Sequence, residues 1–336
     1  MSPTVDGACG DTVLVITADS DATAGLVTGV VEARGARVCR FDTRDFPKRV
    51  RLDAELGPQG WQGRLTTPSG AVDLAEVTAV YVRRPTAFDL PGHLSSSEVR
   101  HAGLEARFGL GGLLASLPAR WCNHPAACAD AAYKPRQLAD FRAAGLDVPD
   151  TLLANSAEAV RRFAADHGRI VCKPIATGVL QTGDGPRAVY TRLLEPRDLA
   201  DLSGVDVTAH LFQEYLSPKE FEVRLTVIGQ TFLAARIDAR SERARVDWRT
   251  DLSALEYQVI DTPPDVRAGV AAYMKARGLA FGCFDFVVPQ QEQRNRWKVL
   301  ECNAEGQWQW IAEETGLPIA ESIAAWLVGD DTGHAC

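Results

Sequence analysis

Three oxygen-bearing side chains late in the chain are spaced to hold a divalent cation. On Val299-Leu300-Glu301-Cys302-Asn303, strand alternation turns Glu301 and Asn303 to one face and Cys302 to the other. The preceding strand, Cys283-Phe284-Asp285-Phe286-Val287-Val288, is apolar except for Asp285, a carboxylate that stays buried only if paired or metal-bound. If the two strands are antiparallel neighbours, Asp285, Glu301 and Asn303 converge. An all-oxygen set suits Mg²⁺, which keeps waters and accepts phosphate oxygens.

Two lysines upstream are placed to meet phosphate. Lys173 ends the apolar strand Ile170-Val171-Cys172 and precedes a segment rich in Gly and Thr, while Lys134 lies on the helix that opens the same block. Between Arg236 and Arg249 five arginines face only Asp238, Glu242 and Asp247, a basic island that is either a solvated face or a cradle for anions. Arg224 and Arg236, on consecutive strands, are the leading candidates for binding a reacting carboxylate.

The elements that must position these groups follow from hydrophobic patterning. Thr12 to Thr17, a helix from Ala22 to Arg34 and a strand Arg37 to Phe41 read as a βαβ unit with a parallel sheet. Glycine-punctuated hairpins, a strand Ala79 to Val82 and a long helix from Ser96 to Ser116 complete an N-terminal region. A helix from Ala126 to Ala144, a strand Thr151 to Ala154, a helix ending at His167 and the strand Ile170 to Lys173 follow. Ala176 to Gly185 reads as a mobile loop. The third block has strands at Leu211 to Glu214, Phe221 to Ile228 and Thr231 to Ile237, a charged loop, a helix Pro264 to Arg277, strands Gly282 to Val288 and Trp297 to Cys302, and a closing helix Pro318 to Leu327.

Composition narrows the function. The 336 residues divide into two or three packed units, and 46% hydrophobic with 24% charged residues is ordinary globular usage. A net charge of −8 disfavours nonspecific nucleic-acid or anionic-membrane binding. No basic or apolar targeting segment occupies Met1 to Gly10 and no run approaches a membrane span, so a cytoplasmic place is expected. Eight scattered Cys, the closest pair being Cys122 and Cys128, offer no zinc spacing and are expected to be reduced core residues. The turn Ala18 to Thr23 lacks GxGxxG, which argues against a dinucleotide-binding dehydrogenase.

Together, Lys134, Lys173, the loop Thr177 to Gly185, the segment Gln213-Glu214-Tyr215-Leu216, Asp285 and Glu301-Cys302-Asn303 resemble, in order and spacing, the ATP-grasp ligases over roughly residues 123 to 329. The resemblance implies an α/β chain with an ATP-grasp fold, two α+β subdomains enclosing ATP, after an N-terminal parallel-sheet pre-ATP-grasp domain. It gives residues 1–122 to that domain, 123–212 to the first ATP-grasp half with its lid, 213–329 to the half with the metal site, and 330–336 to a tail. It also implies that Lys134 and Lys173 meet phosphates and that the backbone of Gln213 to Leu216 binds adenine. Glu222, with Glu220 as competitor, would bind ribose, and Asp285, Glu301 and Asn303 would hold two Mg²⁺.

A narrower resemblance covers nearly the whole chain. Asp42-Thr43 with Asp45-Phe46-Pro47, Tyr81-Val82-Arg83-Arg84-Pro85, Asp247-Trp248-Arg249 and Gly306-Gln307-Trp308 are similar to the maturases of microviridin-type peptides, or graspetides. That implies ATP-dependent closure of ω-ester or ω-amide rings in a ribosomal precursor, with ester favoured. Asp or Glu side chains would be activated as acyl phosphates and attacked by Thr, Ser or Lys, with Arg249 near phosphate. The precursor, with a leader and an acidic, Thr-rich core, is the expected partner, and a homodimer is compatible with the resemblance. The N-terminal domain would dock the leader, with Arg83 and Arg84 near the domain boundary or acting as interdomain ion-pair partners. The competing readings are an ATP-grasp ligase joining free amino acids or adding glutamate to a protein tail, and a non-catalytic nucleotide-binding scaffold.

Overall fold

A computed structural model describes residues 11–330 except 177, 184 and 291–296. The N-terminal sheet is parallel, with Arg37–Phe41, Thr12–Ile16, Val77–Val82 and Arg120–Cys122 side by side in that order. Thr12–Ile16 is buried along its whole length because both faces of the sheet are covered. One face packs on Leu110, Leu113 and Leu114 of helix Ser96–Ala115 and on the small antiparallel sheet of Arg51–Gly57, Gly60–Thr67 and Gly70–Asp73. The other packs on helix Ala22–Ala33, whose N-terminus is capped by Asp21. The helix Ile319–Val328, from the far end of the chain, lies on that same face.

Two further sheets form the rest. Arg192–Leu193, Ile170–Lys173, His210–Glu214 and Thr151–Ala154 make one. The other is antiparallel, in the order Leu255–Ile260, Thr231–Ala239, Lys219–Ile228, Phe281–Pro289, Lys298–Asn303. One face of this five-stranded sheet buries Val223, Leu225, Phe284 and Phe286 against Phe141 and Tyr273 of helices Lys134–Ala143 and Pro264–Arg277. The opposite face carries the polar residues.

Several expectations change here. The single helix Ala126 to Ala144 is two, Pro125–Ala131 and Lys134–Ala143. Pro135 lacks an N–H and fits only the first turn of a helix, so the chain restarts there and Lys134 becomes a helix's first residue. The loop expected at Ala176 to Gly185 contains paired strands, Val179–Thr182 with Gly185–Ala188, and Thr177 and Asp184 lie outside the described residues. The charged loop after Ala239 holds a short helix Glu242–Val246 and leads into an unexpected strand, Leu255–Ile260. Helix Gln309–Thr315 was also unforeseen. Of the expected tail only Asp330 is described, and it accepts a hydrogen bond from Arg34 at 3.2 Å; Met1 to Gly10 lies outside. No helix among the described residues is long and apolar enough to cross a membrane.

Candidate functional site

The register of the five-stranded sheet sets Arg224, Asp285 and Glu301 in one row across three strands, with Thr226, Cys283 and Asn303 in the next row on that face. Arg224 is only 4% exposed and its Nη1 donates to both Asp285 oxygens, at 2.7 and 2.9 Å. Asn303 donates to Glu301 at 3.2 Å and to Asp285 at 3.5 Å. The Lys134 ammonium lies 2.8 Å from Glu301 and donates to the Pro174 carbonyl at 3.0 Å. Burial opposes ionisation of Glu301, but Lys134, Asn303 and Lys173 outweigh it and hold its carboxyl at about 2. Burial raises the Asp285 carboxyl even against Arg224, and the Glu301 charge adds to the rise. Two carboxylates and an amide oxygen on adjacent strands, supported by cations, fit a hard divalent ion such as Mg²⁺.

A cleft of about 880 Å³ lies between the two sheets. Val171, Leu211, Val287 and Leu300 give it an apolar part, and Glu214, Tyr215 and Leu216 line it too. The Tyr215 N–H donates to Arg169 O at 2.8 Å, whereas the Leu216 N–H has no acceptor among the described residues. Glu214 is anchored to Lys298 at 2.6 Å. Gln213 lines the cleft and donates to Thr151 Oγ1 at 3.0 Å, while its Oε1 is buried without a partner. Lys173 and Glu222 also line it. Burial pulls the Lys173 ammonium down to about 8 despite Glu301 and Glu222 nearby. Glu222 lies 2.6 Å from Lys219, a cation of the cleft that sequence reasoning missed, although its spacing of three from Glu222 was a signal. Glu220 lies 4.0 Å from Arg236 instead, so of the two acids it is Glu222 that lines the cleft.

A second cavity of about 1200 Å³ opens beside the first. Lys134, Trp248, Arg249, Asp285 and Glu301 line both, so the two compartments meet at the carboxylate row. Arg249 is fixed there by Asp247 at 2.6 Å, and Trp248 packs on Trp310 with ring centroids 4.8 Å apart. The far wall includes Arg84, Glu305 and Gln307. The chain reaches Gln307 by passing so close to buried Cys283 that a Cβ at Gly306 would lie 2.5 Å from the Cys283 Cβ, which explains the glycine. The Gln307 carbonyl accepts from Arg224 at 2.9 Å and its Oε1 accepts from Arg83 at 2.7 Å. Arg83 is itself paired with Asp21 at 2.9 Å, so it joins the N-terminal sheet to the site.

Arg236 does not join these residues. Its register partner is Val223, which puts it on the opposite face from Arg224; there it stacks 4.1 Å from the Phe221 ring centroid and binds Asp238 at 2.7 and 2.9 Å. The expectation that Arg224 and Arg236 act together fails on strand parity: Arg224 pairs with Ala235 and Arg236 with Val223, so each meets the other's neighbour and the two point to opposite faces.

The family model described as the MvdD pre-ATP grasp domain matches residues 12–129. The macrocyclase MdnC from Microcystis aeruginosa MRC, solved with its precursor peptide MdnA, is 30% identical, with 95% of this chain and 99% of that one covered and a TM-score of 0.81. This chain belongs to the ATP-grasp macrocyclases. A Chryseobacterium gregarium RiPP-associated ATP-grasp ligase, in complex with ADP and a leader and core peptide, shares the fold at 24% identity and TM-score 0.86, covering 95% and 97% of the two chains. The ATP-grasp ligase PsnB, solved with a phosphomimetic variant of a minimal precursor, Mg and ADP, is 25% identical with TM-score 0.73 over 95% and 98%. Among curated proteins none matches the chain significantly. The ATP-grasp macrocyclase fold and the ATP-dependent ligase class implied by the sequence motifs therefore hold for this chain.

Proposed function

We propose that this macrocyclase activates Asp or Glu side chains of a ribosomal precursor peptide with ATP and closes them onto Thr, Ser or Lys of the same peptide as ω-esters or ω-amides, ester being favoured. The observation that carries the reading is the meeting of two compartments at the Arg224–Asp285–Glu301 row. One combines apolar side chains beside Leu216 with the cations Lys173 and Lys134, suited to adenine and phosphates. The other is open and charged, suited to a peptide.

In this reading the Leu216 N–H and neighbouring backbone bind adenine, Glu222 binds ribose, and Lys173 and Lys134 bind phosphates. A peptide carboxylate oxygen attacks the terminal phosphorus and ADP leaves. The hydroxyl or amine then attacks the acyl carbon and phosphate leaves as the nucleophile loses its proton. Asp285, Glu301 and Asn303 would hold magnesium, which supplies charge that offsets the phosphates; the family resemblance suggests two ions. Arg224 and Arg249, fixed by Asp285 and Asp247, face the region where charge accumulates and stabilise it without reorganising. Ring closure is intramolecular, so positioning the folded peptide supplies much of the rate. The N-terminal region, residues 1–122, takes the leader, and such an ATP-dependent step suits the cytoplasm.

The test is mass spectrometry of MdnA, or of an acidic Thr-rich peptide encoded beside the gene, after incubation with enzyme, ATP and Mg²⁺. Loss of water without mass gain is expected. Net mass gain with free amino acids in place of ring closure would overturn the reading in favour of an amino-acid ligase.

The Lys173 ammonium adds a pH dependence. With a free-enzyme value of about 8, it is charged at pH 7 and largely neutral at pH 9, so its attraction for phosphate is present below that value and lost above it. ATP titrations should weaken by about tenfold from pH 7.5 to 9 in the parent and stay nearly flat in Lys173→Arg, whose charge persists. Equal slopes for the two proteins would remove Lys173 from the phosphate site.

A further inference from the structure

Among the described residues, four cations line the second compartment: Arg84, Lys134, Arg224 and Arg249. Three are already committed, Lys134 to Glu301 at 2.8 Å, Arg224 to Asp285 at 2.7 Å and Arg249 to Asp247 at 2.6 Å. Among the described residues no carboxylate lies within ion-pair distance of the Arg84 guanidinium, and the residue is exposed. Its backbone, by contrast, is fixed. The Arg84 N–H donates to Thr17 Oγ1 at 3.4 Å, its carbonyl accepts from Ala18 N–H at 3.0 Å, and the preceding Arg83 is locked between Asp21 and Gln307. Pro85 restricts the residue further from the C-terminal side. Glu305 lines the same cavity and makes no ion pair with Arg84 or any other described residue. The compartment therefore presents one uncommitted cation on a rigid base.

We infer that Arg84 binds a carboxylate of the acidic peptide in the second compartment, so that the N-terminal domain supplies a specificity residue to the crosslinking site. The inference deepens the reading above and rests on it for the compartment's occupant. A free guanidinium offers a carboxylate two parallel hydrogen bonds, which an amide side chain of the same shape cannot take in that form. Each committed arginine already spends part of its fork on an internal Asp.

The probes are two synthetic peptides, N-acetylated and C-amidated, one alternating Thr with Glu and the other alternating Thr with Gln. Both are titrated calorimetrically into the full chain carrying ADP and Mg²⁺. The parent should prefer the Glu peptide by about tenfold, the scale of one charge-assisted pair. Arg84→Gln should abolish the preference by weakening only the Glu peptide, and Arg84→Lys should restore part of it, with melting temperatures showing that both variants fold. A preference that survives in Arg84→Gln, equal weakening of both peptides, or no preference in the parent would each overturn the inference. The water-loss assay is independent of this readout. An Arg84-dependent preference in an enzyme that closes no rings would sink the crosslinking reading while leaving the carboxylate site in place.

Discussion

Glu301→Gln is expected to cut formation of the water-loss product by about 1,000-fold or more, the loss of several kcal/mol of charge stabilisation, while the protein stays folded. The substitution keeps the shape of the side chain and an oxygen that can accept from Lys134, whose ammonium lies 2.8 Å from the carboxylate. What disappears is the negative charge. The surroundings hold Glu301 ionised down to about pH 2, so the parent carries that charge at any working pH and the variant at none. Asp285 cannot make up the lost charge, because its own is already offset by Arg224. Raising Mg²⁺ should recover little activity. The measurement is product mass against Mg²⁺ concentration, beside a thermal melt. Parent-like product at any Mg²⁺ level would take Glu301 out of the site.

Arg224→Lys should separate nucleotide binding from chemistry. A lysine keeps the charge but has one nitrogen in place of the two with which Arg224 holds Asp285 and, at 2.9 Å, the Gln307 carbonyl at once. ATP affinity should stay within a few fold, since Lys173 and the residues proposed to hold adenine are untouched. Crosslinking in a single turnover should slow by roughly 100-fold, the scale for one lost charge-stabilising donor. Arg236→Lys should be close to the parent in both quantities, because its guanidinium lies on Phe221 and Asp238 across the sheet. Truncation to Ala would be a poorer test, since it leaves a buried carboxylate unpaired and costs about 3–5 kcal/mol of stability. Normal turnover by Arg224→Lys would make that arginine a purely structural partner of Asp285.

Residues whose role depends on local alternation were legible in the sequence. Glu301 and Asn303 had to share a strand face, and Asp285, the single acid in an apolar strand, had to find a partner; the register places the three together. Arg236 was not legible, because its face depends on which residue of the neighbouring strand it meets, a fact set by the turn and by packing. Lys134 was seen on a helix, yet its approach to Glu301 depends on the restart at Pro135, which apolar periodicity alone does not reveal. Lys219 offered only its spacing from Glu222, and Arg84 only its place in the Arg83-Arg84-Pro85 motif. Each gains meaning only from which neighbours are, or are not, already paired.

Gln307 is gripped from two sides, by Arg83 of the N-terminal sheet and by Arg224 of the carboxylate row. Around it Val13, Val15 and Tyr81 share one apolar core with Phe281, Trp308 and the helix Ile319–Val328. For protein engineering this means that the first hundred or so residues are no interchangeable cassette. A chimera joined near Asn123 would mate two halves of different cores and strand the Asn123 side chain, which accepts from Ala280 and Phe281 N–H at 2.7 and 2.9 Å. A graft of the N-terminal sheet must therefore bring the stretch from Gly306 to Trp308 and the final helix with it.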